Sequence, residues 1–261
     1  LNRSGRISAG HKDHITNVDA ERVIDLKLRL ENFPISSTLV IPAACLSGFT
    51  CRIRFEDHAG RKLFLQAVVI PYSDARIKVT VSAPYWIINK TGLPLVFRQK
   101  GVSSETAGQF EEHEIARMVA PLLFSFSDPD ASPSVVIRVG NAVVPNGIAQ
   151  WCQDFDLQRG VKVRKLFVSL RDGQSDMTYT IGIEVRNGRG RYRSTSIVTI
   201  SPRFQIHNKS SYSLLFAQSC YATTISDPLA EKTYLKVVSD CYIPYHWRRL
   251  DKHQLLCVLI C

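Results

Sequence analysis

SAPYWIINKTGLPLVFRQ, residues 82–99, and SPRFQIHNKSSYSLLFAQ, residues 201–218, align without a gap. Ser82 stands with Ser201, Tyr85 with Phe204, Ile87 with Ile206, Asn89 with Asn208, Lys90 with Lys209, Leu95 with Leu214, Phe97 with Phe216 and Gln99 with Gln218. The two Asn are 119 positions apart, so the chain carries a long repeat. A hairpin precedes each copy, RIRFEDHAGRKLFLQAVVI at 52–70 and FVSLRDGQSDMTYTIGIEV at 167–185, in which Phe55 answers Leu170 and Asp57 answers Asp172. Repetition of this length indicates an array of modules, an architecture that more often presents binding surfaces than catalytic centres.

Within the first copy Tyr85, Ile87 and Asn89 project to one side of a strand, and Leu95 and Phe97 do the same after the turn. Asn89 therefore ends a strand on its buried side, where a carboxamide can cap backbone groups with both its donor and its acceptor. Asn208 stands in the same frame. The expected role of both is structural: to hold an edge on which a partner docks.

Strand signals dominate the rest. VIDLKLRL at 23–30 alternates Ile24, Leu26, Leu28 and Leu30 with Asp25, Lys27 and Arg29, the period of a half-buried strand. Similar runs at 38–42, 50–55, 63–70, 76–81, 85–88, 94–98, 134–139, 163–170, 178–185, 195–200, 204–207, 212–216 and 254–260 are separated by turn clusters such as DHAG, NKTG and RNGRG. The prediction is an all-β fold of tandem antiparallel β-sandwich modules. GQFEEHEIARMV at 108–119 predicts one short surface helix in a loop, and the first twenty residues, without apolar period, read as a flexible arm. The chain opens on the second half of one repeat, holds a whole one at about 82–200 and closes on the first half of another. Pairing of half-repeats predicts an arm at 1–20, a module at 20–140 and a second at 141–261.

With 261 residues the chain has room for two domains and a sizeable core. It carries 33 Lys and Arg against 23 Asp and Glu, a net charge of +10 that favours acidic partners. No segment approaches the roughly 18–20 unbroken apolar residues of a membrane span. The closing LLCVLIC reads as a strand cut short, so a piece of a longer protein is expected. Seven Cys, an odd set without a CxxC pair, read as free, mostly buried thiols of a reducing compartment; the N-x-[ST] sequons at Asn2, Asn89 and Asn208 carry the competing, secreted reading. A P-loop, GxGxxG, HExxH and GxSxG are all absent, and His11, Asp13 and His14 in the arm or Asp128 and Asp130 in a turn make weak metal signals. Neither an enzyme nor a metal or other cofactor is expected. RNGRGRYR places Arg186, Arg189, Arg191 and Arg193 at a hairpin tip, candidate contacts for an anionic surface, with a merely solvated hairpin as the plainer reading. Without an RNP-type aromatic signature, nucleic acid is not an expected partner.

Longer strings carry a resemblance. PYWIINKTGLPLVFRQ, GQFEEHEIAR followed by PLLFSF, QWCQDFDL, YTIGIEVRNGRGRY, NKSSYSLLFAQ and HWRRLDKHQLLCV resemble the adaptor-binding region of the vacuolar protein sorting 13 family of bridge-like lipid-transfer proteins, and within it the 13D branch. The resemblance covers most of the chain beyond residue 22. It implies an all-β region of six repeats with one Asn each, at Asn89 and Asn208 here, whose last repeats capture short Pro-x-Pro peptides of organelle adaptors. For the 13D branch it implies a Miro-type outer-membrane GTPase as adaptor. It also implies a cytoplasmic protein, peripheral at contact sites of mitochondria, peroxisomes and the endoplasmic reticulum. A peptide of this kind can add as a strand to a sheet edge, with prolines docked on aromatic faces. Tyr85, Trp86, Phe204, Tyr212 and Phe216 are the candidate pocket aromatics, with core packing as the competing role of each. The alternative function is a basic β-module that binds a phosphoinositide membrane surface or nucleic acid through the Arg cluster.

Overall fold

A computed structural model of the chain describes residues 5–16, 18–73, 76–144, 147–170, 176–222 and 234–260. Asn2, Asp172 and Cys261 lie outside them. The opening body holds β1 (Ile24–Lys27), β2 (Ile35–Ser36), β3 (Thr38–Ile41), β4 (Phe49–Glu56), β5 (Lys62–Pro71) and β6 (Ile77–Ser82). β1 pairs with β3, and β2, β4, β5 and β6 form a four-stranded sheet in that order. Alternation decides what faces inward: Leu63, Leu65, Ala67 and Val69 of β5 are buried against Ile53 and Phe55 of β4 and against Phe33, Leu39 and Ile41.

The middle body follows with β7 (Tyr85–Asn89), β8 (Leu95–Gln99), a short α-helix α1 (Glu112–Ile115), β9 (Leu122–Phe124), β10 (Ser134–Val139), β11 (Gly147–Ala149), β12 (Phe155–Asp156), β13 (Gly160–Leu170), β14 (Met177–Asn187) and β15 (Ser196–Pro202). Its six-stranded sheet runs β11-β13-β14-β15-β7-β9, and its three-stranded sheet runs β12-β10-β8. One core joins the two, with Ile87, Phe124, Leu166, Ile181, Ile183 and Ile200 from the larger sheet and Leu95, Phe97, Val135 and Ile137 from the smaller. The closing part holds β16 (Phe204–Asn208), β17 (Leu214–Gln218), β18 (Leu235–Val237), β19 (Cys241–Tyr245) and β20 (Leu256–Ile260), arranged as a β16-β19 pair and a β18-β17-β20 sheet.

One pairing organises the whole. β15 lies parallel to β7, from Ser196 opposite Tyr85 to Ile200 opposite Asn89, while every other pairing between named strands of the described residues is antiparallel. Ser196 N–H donates to the Pro84 carbonyl at 2.9 Å and Lys90 N–H to the Ile200 carbonyl at 2.7 Å, closing the ladder at both ends. The boundary expected at 140/141 is not where the cores divide: β7 and β9 before it share a sheet and a core with β11, β13, β14 and β15 after it. The two halves of one repeat complete each other, so the middle body coincides with the sequence repeat at about 82–202. A pattern of alternation records which face is buried and is silent on which edge is paired.

The loop before β9 fastens the first two bodies. The helix expected over 108–119 contracts to the four residues of α1, because Gly108 takes φ +79° and the segment before it is held by side chains rather than by helical bonds. Asp57, 2% exposed, accepts the N–H groups of Ala59, Arg61 and Gly108 and pairs with Arg61 Nε at 2.8 Å. Burial works against its charge, but the Gly108 and Arg61 bonds win and hold the carboxyl below its ordinary value. From the same loop Gln109 Oε1 accepts Phe97 N–H at 2.8 Å, and Glu105 and Glu114 both reach Arg138. Burial opposes ionisation of Glu114 too, and the Arg138 and Asn141 bonds outweigh it, leaving its pKa lowered.

The opening arm has a partner: Arg191 donates to the Gly10 carbonyl at 3.1 Å. Of the described Cys, all are unbridged, but Cys152 alone is buried and Cys220 is exposed, which corrects the expectation of mostly buried thiols. Among the described residues no helix is long and apolar enough to cross a membrane, and no group of His, Cys, Asp or Glu is placed to hold a metal ion.

Candidate functional site

The two aligned Asn make the same turn. Asn89 Oδ1 accepts Thr91 N–H at 3.0 Å and the Thr91 hydroxyl at 2.7 Å, while Nδ2 donates to the Leu93 carbonyl at 2.7 Å. Asn208 Oδ1 accepts Ser210 N–H at 3.0 Å and the Ser210 hydroxyl at 2.7 Å, and Nδ2 donates to Tyr212 at 2.8 Å. Asn208 adds a bond to the Val237 carbonyl at 2.9 Å and is 2% exposed. Each carboxamide is committed to its turn, which leaves no free amide for a glycan at these two sequons.

Gln99 and Gln218, aligned in the same stretch, also repeat their bonds. Gln99 accepts Ser127 N–H at 2.8 Å and Asp128 N–H at 3.1 Å and donates to the Asp128 carbonyl at 2.7 Å. Gln218 accepts Arg249 N–H at 3.2 Å and donates to the Arg249 carbonyl at 2.8 Å. A buried amide that bridges both polarities of a distant loop fixes that loop to the strand.

These turns and staples set the joint between the middle body and the closing part. The Asn89 turn packs under β19: His246 Nε2 lies 2.8 Å from the Thr91 carbonyl, and a Cβ on Gly92, whose φ is +76°, would stand 3.0 Å from Pro244 Cγ. Burial pushes the His246 pKa down, the Thr91 contact only partly offsetting it. Thr178 N–H donates to the Arg248 carbonyl and Arg203 N–H to the Thr180 carbonyl, each at 3.3 Å.

A cavity of about 170 Å³ opens at this joint, with Phe204, Tyr245, Trp247 and Leu250 on one side and Lys165, Thr180 and Arg203 on the other. Trp247 meets Tyr245 edge to face at 5.0 Å between centroids and Phe204 at 6.4 Å. Phe204 is 38% exposed, whereas Tyr245 is 4% exposed and its hydroxyl is buried without a hydrogen-bond partner. Burial pushes the Tyr245 phenol up to about 12, so it is a donor at neutral pH. The Arg203 guanidinium sits 5.3 Å from the Phe204 ring centre. The volume is below the 300–1,000 Å³ or so of small-molecule sites and suits one or two side chains.

Beside the cavity runs an unclosed edge. β16 pairs only with β19 among the described residues, although its counterpart β7 is flanked by both β9 and β15. Lys90 N–H has its partner on β15; among the described residues no such bond is seen for the corresponding Lys209 N–H.

Of the five aromatics singled out in the sequence, Phe204 alone lines the cavity. Tyr85 packs edge to face on Phe124 and Phe126 at 6.0 and 5.9 Å, at the rim of the middle core. Trp86 packs on the opening core and on Tyr192 at 5.0 Å, Phe216 is 7% exposed, and Tyr212 is exposed in the Asn208 turn. Side chains on alternating inward positions become core, as the pleat dictates. Tyr245 and Trp247 were not singled out in the sequence because they lie outside the repeated stretch, although HWRRLDKHQLLCV contains Trp247 and follows directly on Tyr245. Arg186, Arg189, Arg191 and Arg193 are all exposed at the β14–β15 tip and have no carboxylate partner among the described residues.

A family model described as vacuolar-sorting associated protein 13, adaptor binding domain, matches residues 2–261. The chain is 39% identical over 255 residues to intermembrane lipid transfer protein VPS13D of Homo sapiens and 40% identical over 257 residues to intermembrane lipid transfer protein Vps13D of Drosophila melanogaster, 98% of this chain and 6% of the relative in each case. With intermembrane lipid transfer protein VPS13 of Chaetomium thermophilum it shares 24% identity over 257 residues, 94% of this chain and 7% of that protein.

Proposed function

The chain belongs to the vacuolar-sorting associated protein 13 adaptor-binding family, and from that premise we propose that it is a non-catalytic module which captures a short Pro-x-Pro segment of an organelle adaptor. The observation that carries the reading is the aromatic cavity of Phe204, Tyr245 and Trp247 at the start of a strand edge that has no partner among the described residues. A proline ring seats between the three aromatic faces, and the flanking backbone pairs along β16 as β15 does along β7. Proline has a fixed φ, so ordering such a peptide costs less than ordering a flexible one. Recruitment of this kind would bring a longer parent, named in its relatives for lipid transfer between membranes, to mitochondrial or peroxisomal contact sites through a Miro-type adaptor.

Titration calorimetry of the 261-residue chain with a decapeptide bearing Pro-x-Pro tests this. Replacement of both prolines by Ala, or Trp247→Ala in the protein, is expected to weaken binding at least about tenfold, and about 0.5 M salt to change it little. Wild-type affinity for the Ala peptide sinks the reading. A second occupant is favoured by the β7–β15 pair itself: the β16 edge also suits a strand from a neighbouring repeat, which would bind without regard to proline. The basic-surface alternative rests on the four exposed Arg of the β14–β15 tip, and binding to phosphoinositide vesicles that is lost on Arg189→Glu with Arg191→Glu would favour it.

A further inference from the structure

The two walls of the joint cavity differ in chemistry. The closing part supplies rings, and the middle body supplies charge: Lys165 from β13 and Arg203 just after β15, both exposed, flank Thr180, and among the described residues no Asp or Glu lines the space. Among the described residues neither cation has a carboxylate within ion-pair distance. Lys165 stands opposite Thr180 in the β13–β14 ladder, and Arg203 N–H bonds the Thr180 carbonyl, so the cations lie on neighbouring strands to either side of it, about 10 Å apart at the backbone. Two long side chains reaching inward from that separation can converge on one carboxylate. The Tyr245 hydroxyl is itself buried, so Tyr245 offers the cavity its ring and not its O–H.

We propose that this cavity reads an acidic residue placed two positions from the proline of its peptide: the ring lies against Trp247 and Phe204, and the carboxylate is held between Lys165 and Arg203. The inference rests on the peptide-capture reading and adds to it the ligand's charge. Residues two apart on an extended chain face the same way, so ring and carboxylate enter the one opening together. The charge pair sets which proline peptides are accepted, while the rings serve all of them.

The test titrates the full chain, by fluorescence anisotropy at low salt, with three labelled peptides that share a Pro-Ala-Pro frame and differ two residues on, where they carry Asp, Asn or Lys. The Asp peptide is expected to bind about tenfold more tightly than the Lys peptide, with Asn between them. Lys165→Glu with Arg203→Glu, both at exposed positions, should leave the melting temperature unchanged and reverse the order. Equal binding of the three peptides overturns the acidic preference and leaves proline capture standing. An unreversed order in the double variant overturns the assignment to Lys165 and Arg203. Undiminished binding of the Asp peptide after both prolines become Ala, or no binding of any peptide, removes the proline reading and this one with it.

Discussion

The middle body and the closing part begin with aligned eighteen-residue stretches, identical at seven positions, and end differently. β7 and β16 each enter an Asn turn, β8 and β17 each carry a buried Gln staple, and there the likeness stops. β10 is buried along its whole length, whereas Leu256, Val258 and Ile260 of its counterpart β20 are 40%, 48% and 66% exposed. The difference teaches that the repeated stretch specifies local geometry by itself, while burial depends on the second half of the repeat, the hairpin that delivers β15 to β7.

Dissection should break the comparison most sharply. A fragment of 82–202 contains both sheets and their core, so it is expected to melt as one cooperative unit, while 203–261 alone is expected to stay unfolded. A 141–261 fragment loses β7 and β9 and should be poorly folded despite its length. Circular dichroism that finds 141–261 well ordered and 82–202 aggregated would return the division to the middle of the repeat.

Next in size come the turns. Asn208→Ala strands two carbonyls and the Ser210 donors in a buried place and is expected to cost roughly 3 kcal/mol; Asn89→Ala, with one carbonyl fewer, about 2 kcal/mol. Equal losses, read from denaturant melts, would mean that the Val237 bond contributes nothing.

Smaller still is the effect at the position just after Thr91 and Ser210. Gly92 needs a left-handed backbone and a bare face under Pro244, and Ser211 has no such φ. Gly92→Ala is expected to cost about 1–2 kcal/mol, and Ser211→Ala less than about 0.5. A silent Gly92→Ala would show that the turn does not seat β19.

The gentlest probe is pH. Burial depresses the His246 and His113 pKa values, so the folded chain binds fewer protons there than the unfolded one, and their contribution, complete above the unfolded value near 6.5, is lost as pH falls below it. Asp57 and Glu114 are likewise depressed, and their share is complete above the unfolded carboxylate range near 4 and fades beneath it. Acid should thus loosen the joints in two steps, with His246→Asn removing part of the first; a melting temperature flat from pH 7 to 5 would contradict the His assignment.

Much of this was legible in the chain. Fourteen runs of alternation became strands, with ends moved by a few residues, and the Asn and Gln were visible because they recur in register. What stayed hidden has a common cause. β2, β9, β11, β12 and β18 are two or three residues long, too short for a period to show, β19 is interrupted by Pro244, and the β7–β15 pair joins strands more than a hundred residues apart whose side chains say nothing of their edges. The cavity was half visible: Phe204 belongs to the repeat, but Tyr245 and Trp247 reach it only through the β16–β19 ladder.

The parallel ladder has a mechanical meaning. Tension along the backbone would enter the middle body at the amino end of β7 and leave at the carboxyl end of β15, opposite ends of two strands that point the same way. All the hydrogen bonds between them are then loaded at once, in shear, whereas an antiparallel hairpin pulled from its open end gives way one bond at a time. A chain of such links resists stretching at every repeat, and among the described residues the β16 edge carries no such parallel ladder.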